Sequence, residues 1–591
     1  MIEAPYIPLF VDFTHEDKAA KGLRSLRDPA ATVAPAAYFS AAEIVEEGGP
    51  LLLLGERGSG KTAFARKLAA DSHYHYVGID RPATLDALAE GIAPGRTVIL
   101  DGVDRLGGNG PAFITEALER FGEHLVVLGE TAIARSWPIP AGYRVHSLLP
   151  LSLERRAMAL ASAGLPAGAA LSAPAANPAL FALSIGLAEP VETAEELVDQ
   201  WLAAQPSGDY PGAAFAALRD GVSSNRAVDG LLAARHLQTL PLAAVAELFA
   251  AAPQLWAPTV TSLARRLDRP EALIDKLVAL PGDVGLRGAL LGAGVLPPES
   301  AAVRAALLRI VELGRLSPAE RDRAARTLAR AGDPRDLDAL VDVPGGTFTL
   351  GSTTHPNSAP PHPVTVASFR IGRFPVTNEQ YRRFIEATGR AWVSPDGRLP
   401  ERANAPATDL TWHDARAYCD WLAGVWRAAG RIEATEEVRL PTEPEWERAA
   451  RGDQPDAGDA IVYPWSGPWD PDAVNAEQTG FNGTCAVGLF PKGRSSYGCF
   501  DMAGQAWEWT TTLWGNDMTT PSFTYPYRDD GRENLVAPAD IRRVLRGGCF
   551  SSASFKACCT YRGSLEPNGF WRGNGFRIVV TRSPEASSAA T

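Results

Sequence analysis

Leu51-Leu52-Leu53-Leu54-Gly55-Glu56-Arg57-Gly58-Ser59-Gly60-Lys61-Thr62 decides the fold of the first part of the chain. The leucine run reads as a short buried strand. Gly55 to Thr62 then match G-x-x-x-x-G-K-[ST] in full, and a helical pattern (Ala63–Ala70) follows at once. The glycines let backbone N–H groups turn inward and cradle phosphates, and the helix N-terminus adds its positive end. Gly55, Gly58, Ser59, Gly60, Lys61 and Thr62 are therefore the expected phosphate-binding set. Lys61 would reach the β- and γ-phosphates, and Thr62 would hold Mg²⁺.

Working outward, Val98-Ile99-Leu100-Asp101 is an apolar strand that ends in a carboxylate, the natural second Mg²⁺ group. Further strands are expected at His75–Ile79, Leu125–Leu128 and Tyr143–Leu148, with helical patterns between them. That alternation predicts a parallel sheet covered by helices on both faces. Residues 205–340 are rich in Ala, Leu and Arg with apolar residues three and four apart, which predicts a helical adaptor. From 341 to 583 Trp, Gly and Pro dominate, with helices expected at Asn378–Thr388 and Thr411–Arg427; a flexible tail, 584–591, is expected after it. The fold class read from this is a multidomain chain: α/β (1–204), then α, then α+β.

Asp101-Gly102-Val103-Asp104 resembles the Asp-Gly-x-Asp pattern of STAND-type NTPases, in particular their NACHT-like branch. The resemblance implies ATP or GTP with Mg²⁺ as cofactor, and Asp104 as the carboxylate that orients an attacking water. Asp104 reads equally well as a helix N-cap or a surface acid. Arg105 stands where a further acid is usual. Gly129-Glu130-Thr131 stands where such proteins often carry a sensor arginine, and Arg135 is the nearest substitute.

The C-terminal segment is similar to the formylglycine-generating (sulfatase-modifying factor) family, whose fold is a variant of the C-type lectin fold. The matching landmarks run in order from Pro344-Gly345-Gly346 through Arg439-Leu440-Pro441-Thr442-Glu443 and Trp507-Glu508-Trp509 to Arg546-Gly547-Gly548 and Gly575-Phe576-Arg577. Trp446, Trp465, Trp507 and Trp509 are expected in its core, and Arg439, Glu443 and Arg577 in buried ion pairs. The resemblance implies a calcium site at Asp501, the carbonyls of Gly504 and Ala506, and Glu508. A second site would use Asn475, Ala476 and Phe481, but Thr479 stands where its acid belongs.

The family's oxidases bind copper through two cysteines after the Gly-Gly pair. Here Ser552 and Ala557 hold those places, and a hydroxyl and a methyl cannot replace thiolates as soft ligands. Oxidase chemistry is therefore disfavoured. Phe550 to Asn574 instead resembles the display segment of variable proteins from diversity-generating retroelements. The resemblance implies a face for a protein or other ligand, made by Phe550, Ser551, Ser552, Phe555, Tyr561, Leu565, Glu566, Asn568, Phe570, Trp571 and Asn574. Core filling is the competing expectation for Phe550, Tyr561 and Trp571.

A net charge of −12 argues against general nucleic-acid binding. No run is long and apolar enough to span a bilayer, and the first residues lack the pattern of a secretory signal, so a cytoplasmic protein is expected. All six cysteines lie in the last third without C-x-x-C spacing, and free thiols are expected. The functional reading is a nucleotide-binding sensor that displays a ligand-binding lectin-fold face and forms homo-oligomers. A passive binder with a vestigial P-loop is the alternative.

Overall fold

Strand β1 (Leu51–Gly55) lies between neighbours on both sides, which is why four consecutive leucines suit it. In the computed structural model Leu51 and Leu53 pack with Ile99, Val126 and Leu128 on one face of the sheet. Leu52 and Leu54 pack with Val98, Leu100 and Val127 on the other. The residues described are 4–11, 39–79, 84–89, 92–93, 95–134, 137, 139–140, 143–223, 225–297, 300–454 and 460–582. They fall into two units that meet in sequence at Ala306 and Leu307.

The first unit holds a five-stranded sheet in the order β2-β3-β4-β1-β5, parallel throughout. The other strands are β2 (Tyr74–Gly78), β3 (Thr97–Asp101), β4 (Leu125–Glu130) and β5 (Arg144–Ser147). Helix α1 (Lys61–Leu68) follows β1, and α2 (Gly110–Phe121) joins β3 to β4. Helices then run on from Leu153–Ala163, among them α3 (Pro178–Ser184), α4 (Arg226–Leu237) and α5 (Pro253–Arg265).

The expected adaptor, 205–340, is not one body. Its helices as far as residue 306 belong to the first unit, and α6 (Pro318–Ala331) belongs to the second. The reason is visible at Arg321. Its fully buried guanidinium donates to the Leu489 carbonyl at 3.0 Å and pairs with Asp472, so α6 is anchored in the C-terminal unit. Helical periodicity across 205–340 predicted helices but not which core each one joins.

The second unit contains two four-stranded sheets. One pairs β6 (Leu340–Val343), β7 (Phe369–Gly372), β8 (Glu436–Arg439) and β12 (Val579–Arg582), all antiparallel. The other pairs β9 (Trp507–Gly515), β10 (Arg542–Arg546), β11 (Gly563–Leu565) and the short strand Asn574–Gly575. Helices α7 (Asn378–Thr388) and α8 (Trp412–Ala428) each start at a capping box, Thr377 with Gln380 and Thr411 with Asp414. Their apolar faces meet an aromatic core that includes Tyr381, Phe384, Trp412, Tyr418, Trp509 and Phe576.

Trp446 and Trp509 are fully buried, as expected. Trp465 and Trp507 are only half-buried. Trp465 stacks on Tyr463 with ring centres 4.8 Å apart, and Trp507 lies 6.0 Å from Tyr561. An indole can cover a surface while keeping one edge wet. Glu443 forms the expected buried pairs, with Arg546 at 2.9 Å and Arg562 at 2.7 Å, whereas Arg439 binds Glu445 at 2.7 Å in a half-buried position. Among the described residues no helix is long and apolar enough to cross a membrane. The expected tail, 584–591, lies outside them.

Candidate nucleotide site and candidate ligand face

The loop after β1 turns through Gly58 (φ +76°) and Gly60 (φ +85°), a region that residues with a Cβ rarely enter. Lys61 folds back over it. Its ammonium donates to the carbonyls of Gly55 (2.7 Å) and Glu56 (3.0 Å) and to the Ser59 hydroxyl (3.3 Å). Burial works against the Lys61 charge, and Asp104, Glu130, Asp101 and Glu56 favour it. Thr62 donates its hydroxyl to the buried Asp101 carboxylate at 2.6 Å, and Tyr76 from β2 donates to the same oxygen at 3.1 Å. The expected phosphate and Mg²⁺ groups thus meet at the C-terminal edge of the sheet, where ligands of α/β folds bind. Ammonium, hydroxyl and carboxylate are the donor set that Mg²⁺-nucleotide needs, so the residues fit it.

Asp104 is on this edge, nine-tenths buried, at the start of a 3-10 turn (Val103–Asn109). Its partner is Arg226, on the first turn of α4, at 3.8 Å. Arg57, a free position of the motif, binds Glu130 at 2.7 Å and donates to the carbonyls of Leu255 and Gln254 at the start of α5. Burial lifts the Glu130 carboxyl, and the Arg57 charge draws it back. Asn177 holds the Arg57 carbonyl at 2.7 Å. Arg57, Tyr76, Glu130 and Arg226 were not among the expected site residues. For the last, nothing local in the sequence signals it. The expected substitute sensor, Arg135, lies outside the described residues.

In the C-terminal unit, Asp501 sits at φ +59° and accepts the Gly488 N–H at 2.7 Å. Burial pushes its carboxyl up to about 6. Glu508 is already engaged: it accepts the Trp446 indole N–H at 2.7 Å and two Arg577 N–H groups at 2.5 and 2.7 Å. The calcium donor set therefore fits in part. Asp501 suits a cation, whereas Arg577 neutralises Glu508. At the second expected site the Thr479 hydroxyl closes on its own turn, with the Ala476 N–H at 2.8 Å and carbonyl at 2.7 Å. Among the described residues no three His, Cys, Asp or Glu side chains gather as a metal group.

The expected ligand face divides. Phe550, Ser552, Leu565, Phe570 and Asn574 are buried. Asn574 spends its amide on Trp571 N–H and the Leu410 carbonyl. Most of the segment is turn and loop, with strand only at Gly563–Leu565 and Asn574–Gly575, and its burial follows no alternation. Ser551, Tyr561, Glu566, Asn568 and Trp571 are half-buried, and Phe555 is 48% exposed. Phe555 meets Tyr561 edge-on at 5.9 Å, and Tyr561 also touches His355 (4.8 Å) and Trp507. Glu566 pairs with Arg542.

Residues 326–582 match the sulfatase-modifying factor enzyme 1-like domain. The chain is 32% identical over 243 residues to the formylglycine-generating enzyme of Mycobacterium tuberculosis (strain ATCC 25618 / H37Rv), covering 30% of this chain and 74% of that protein. It belongs to the sulfatase-modifying factor family. A second relative, the inactive C-alpha-formylglycine-generating enzyme 2 of Mus musculus, is 31% identical over 316 residues, 43% of this chain and 87% of that protein. Among solved structures, Treponema denticola variable protein 1 is similar with TM-score 0.30 and 19% identity, over 41% of this chain and 94% of that one.

In this sulfatase-modifying factor domain the Ser552 hydroxyl accepts the Cys549 N–H at 2.9 Å, and Ala557 is fully buried against Val474, Ala476 and Ala503. All six cysteines are buried and free, and burial pushes the thiols of Cys549, Cys558 and Cys559 up. A thiol so held is a poor nucleophile and a poor ligand.

Proposed function

We infer that this protein is a nucleotide-responsive binding protein, in which a STAND-like P-loop unit is joined to a sulfatase-modifying factor domain that has exchanged oxidation for ligand display. The observation that carries it is the meeting of Lys61, Thr62 and Asp101 with the glycine turn after β1. ATP or GTP with Mg²⁺ is the ligand there. Asp104 would orient the attacking water, and turnover would transfer the γ-phosphoryl group to that water and leave a diphosphate.

The second site is the aromatic surface of His355, Trp507, Phe555 and Tyr561, with Lys556 above both Phe555 and Tyr561. An exposed ring, Phe555, bordered by half-buried aromatic groups and a charge, suits recognition of a protein or other ligand. Nucleotide state and assembly into homo-oligomers in the cytoplasm complete this reading. Calcium, on the same reading, is held by Asp501 with the Gly504 and Ala506 carbonyls, while Glu508 stays with Arg577.

The test is equilibrium binding of Mg²⁺-ATP and Mg²⁺-GTP to the full chain and to its Lys61→Ala variant. Binding to the wild type that the variant loses supports the reading. Binding by neither leaves the P-loop vestigial and the protein a passive binder.

A further inference from the structure

The site lacks an arginine where its P-loop relatives often carry one, because Glu130 stands there and ties Arg57 into the loop. An arginine arrives from elsewhere. The first turn of α4 lies against the P-loop: a Cβ placed on Gly58 would come within 2.9 Å of the Ala227 methyl group. Arg226, one residue before, reaches the site and stops 3.8 Å from the Asp104 carboxylate. At that distance the pair is electrostatic, and the guanidinium donors are not spent on a hydrogen bond to Asp104. Arg105, Arg57 and Glu130 also face it. The Arg226 side chain is 22% exposed and that of Asp104 10%, so screening by water is weak.

We propose that Arg226 is the residue by which this site distinguishes a nucleoside triphosphate from a diphosphate. This rests on the nucleotide-binding reading above. Asp104 is foremost among the carboxylates that favour the charge of Lys61, the group expected at the β- and γ-phosphates, and a planar guanidinium is the group best shaped to bind phosphate oxygens in pairs. A γ-phosphate carries more negative charge than one carboxylate, so it draws Arg226 away from Asp104. A diphosphate offers nothing at that position, and Arg226 stays with Asp104. Because Arg226 belongs to α4, the exchange also reports the γ-phosphate to the helices beyond the sheet.

The experiment compares the affinity of the full chain for a non-hydrolysable triphosphate analogue and for the diphosphate, both with Mg²⁺, in wild type, Arg226→Ala, Arg226→Lys and Lys61→Ala. The adenine pair is tried first and the guanine pair second. Arg226→Ala is expected to weaken triphosphate binding by roughly tenfold or more while diphosphate affinity stays within about twofold. Arg226→Lys recovers part of the loss. An unchanged ratio in Arg226→Ala overturns the proposal. So does an equal fall for both ligands, which makes Arg226 a structural group. Wild-type protein that binds neither nucleotide overturns the nucleotide reading itself, and Lys61→Ala that binds as wild type removes the P-loop from it.

Discussion

The hydroxyl of Thr62, first turn of α1, donates to the carboxylate of Asp101, last residue of β3, at 2.6 Å. The two groups proposed to hold Mg²⁺ are therefore within hydrogen-bond reach of each other, although β4 lies between β3 and β1, the strand that leads into α1. Tyr76 reaches the same carboxylate oxygen from β2 at 3.1 Å. Tyr76→Phe removes one hydrogen bond worth about 1 kcal/mol. The expected result is a roughly fivefold higher Mg²⁺ requirement for nucleotide binding, with the melting temperature nearly unchanged. A Mg²⁺ titration of nucleotide binding reads it, and an unaltered midpoint would remove Tyr76 from the site.

Glu508 and Arg577 form a fully buried pair that also holds the Trp446 indole. Glu508→Gln leaves the Arg577 charge inside without its counter-ion, which costs about 3–5 kcal/mol. Urea unfolding of the C-terminal unit within the full chain measures this. Excess calcium should not restore the lost stability, because the defect is an unpaired cation. Recovery by calcium would mean that Glu508 is a metal ligand after all.

Phe550 and Phe555 separate the two roles of the C-terminal segment. Phe550 is 2% exposed and Phe555 48%. Phe550→Ala is expected to cost about 3–5 kcal/mol through the cavity it leaves. Phe555→Ala should lie within about 0.5 kcal/mol of wild type, as surface changes usually do. Equal losses in denaturant unfolding would place both rings in the core.

Glu533 accepts from Thr511 and Thr512 at 2.5 Å each and from Tyr527 at 2.7 Å. Burial nevertheless raises its carboxyl above the ordinary carboxylate range. A raised folded value means the native state keeps a proton that the unfolded chain gives up. Its contribution is full below the unfolded value and is lost as pH rises through the folded one. Glu533→Gln cannot ionise and lacks that loss. As pH rises from the ordinary glutamate range through the raised folded value, the wild type should therefore fall in melting temperature relative to the variant. A difference that moves the other way would show that the hydrogen bonds outweigh burial.

Contiguous features were legible from the residues alone. The glycine turn, the five strands and the starts of α7 and α8 depend on backbone preferences and neighbours a few residues away. The two helices begin at capping boxes, Thr377 and Thr411, whose donor and acceptor lie three residues apart, so their starts depend on local chemistry alone. The C-terminal unit was legible because its landmarks recur in a fixed order, and Ser552 and Ala557 could be read from spacing.

What the linear order left open is which side chains meet after folding. The resemblance to display segments placed Phe550, Leu565 and Phe570 on a binding face, with core filling weighed for Phe550 alone of the three, yet all three are buried. Arg321 looks like any helical arginine until its burial beside Leu489 and Asp472 assigns α6 to the C-terminal unit. Arg226 carries no local signal of a phosphate site; the approach of α4 to Gly58 puts it there. Local backbone chemistry determines the loops and caps, because their partners are close in sequence. Burial and long-range charge pairing are settled by tertiary structure, because the same side chain is stable in either place until its neighbours are known.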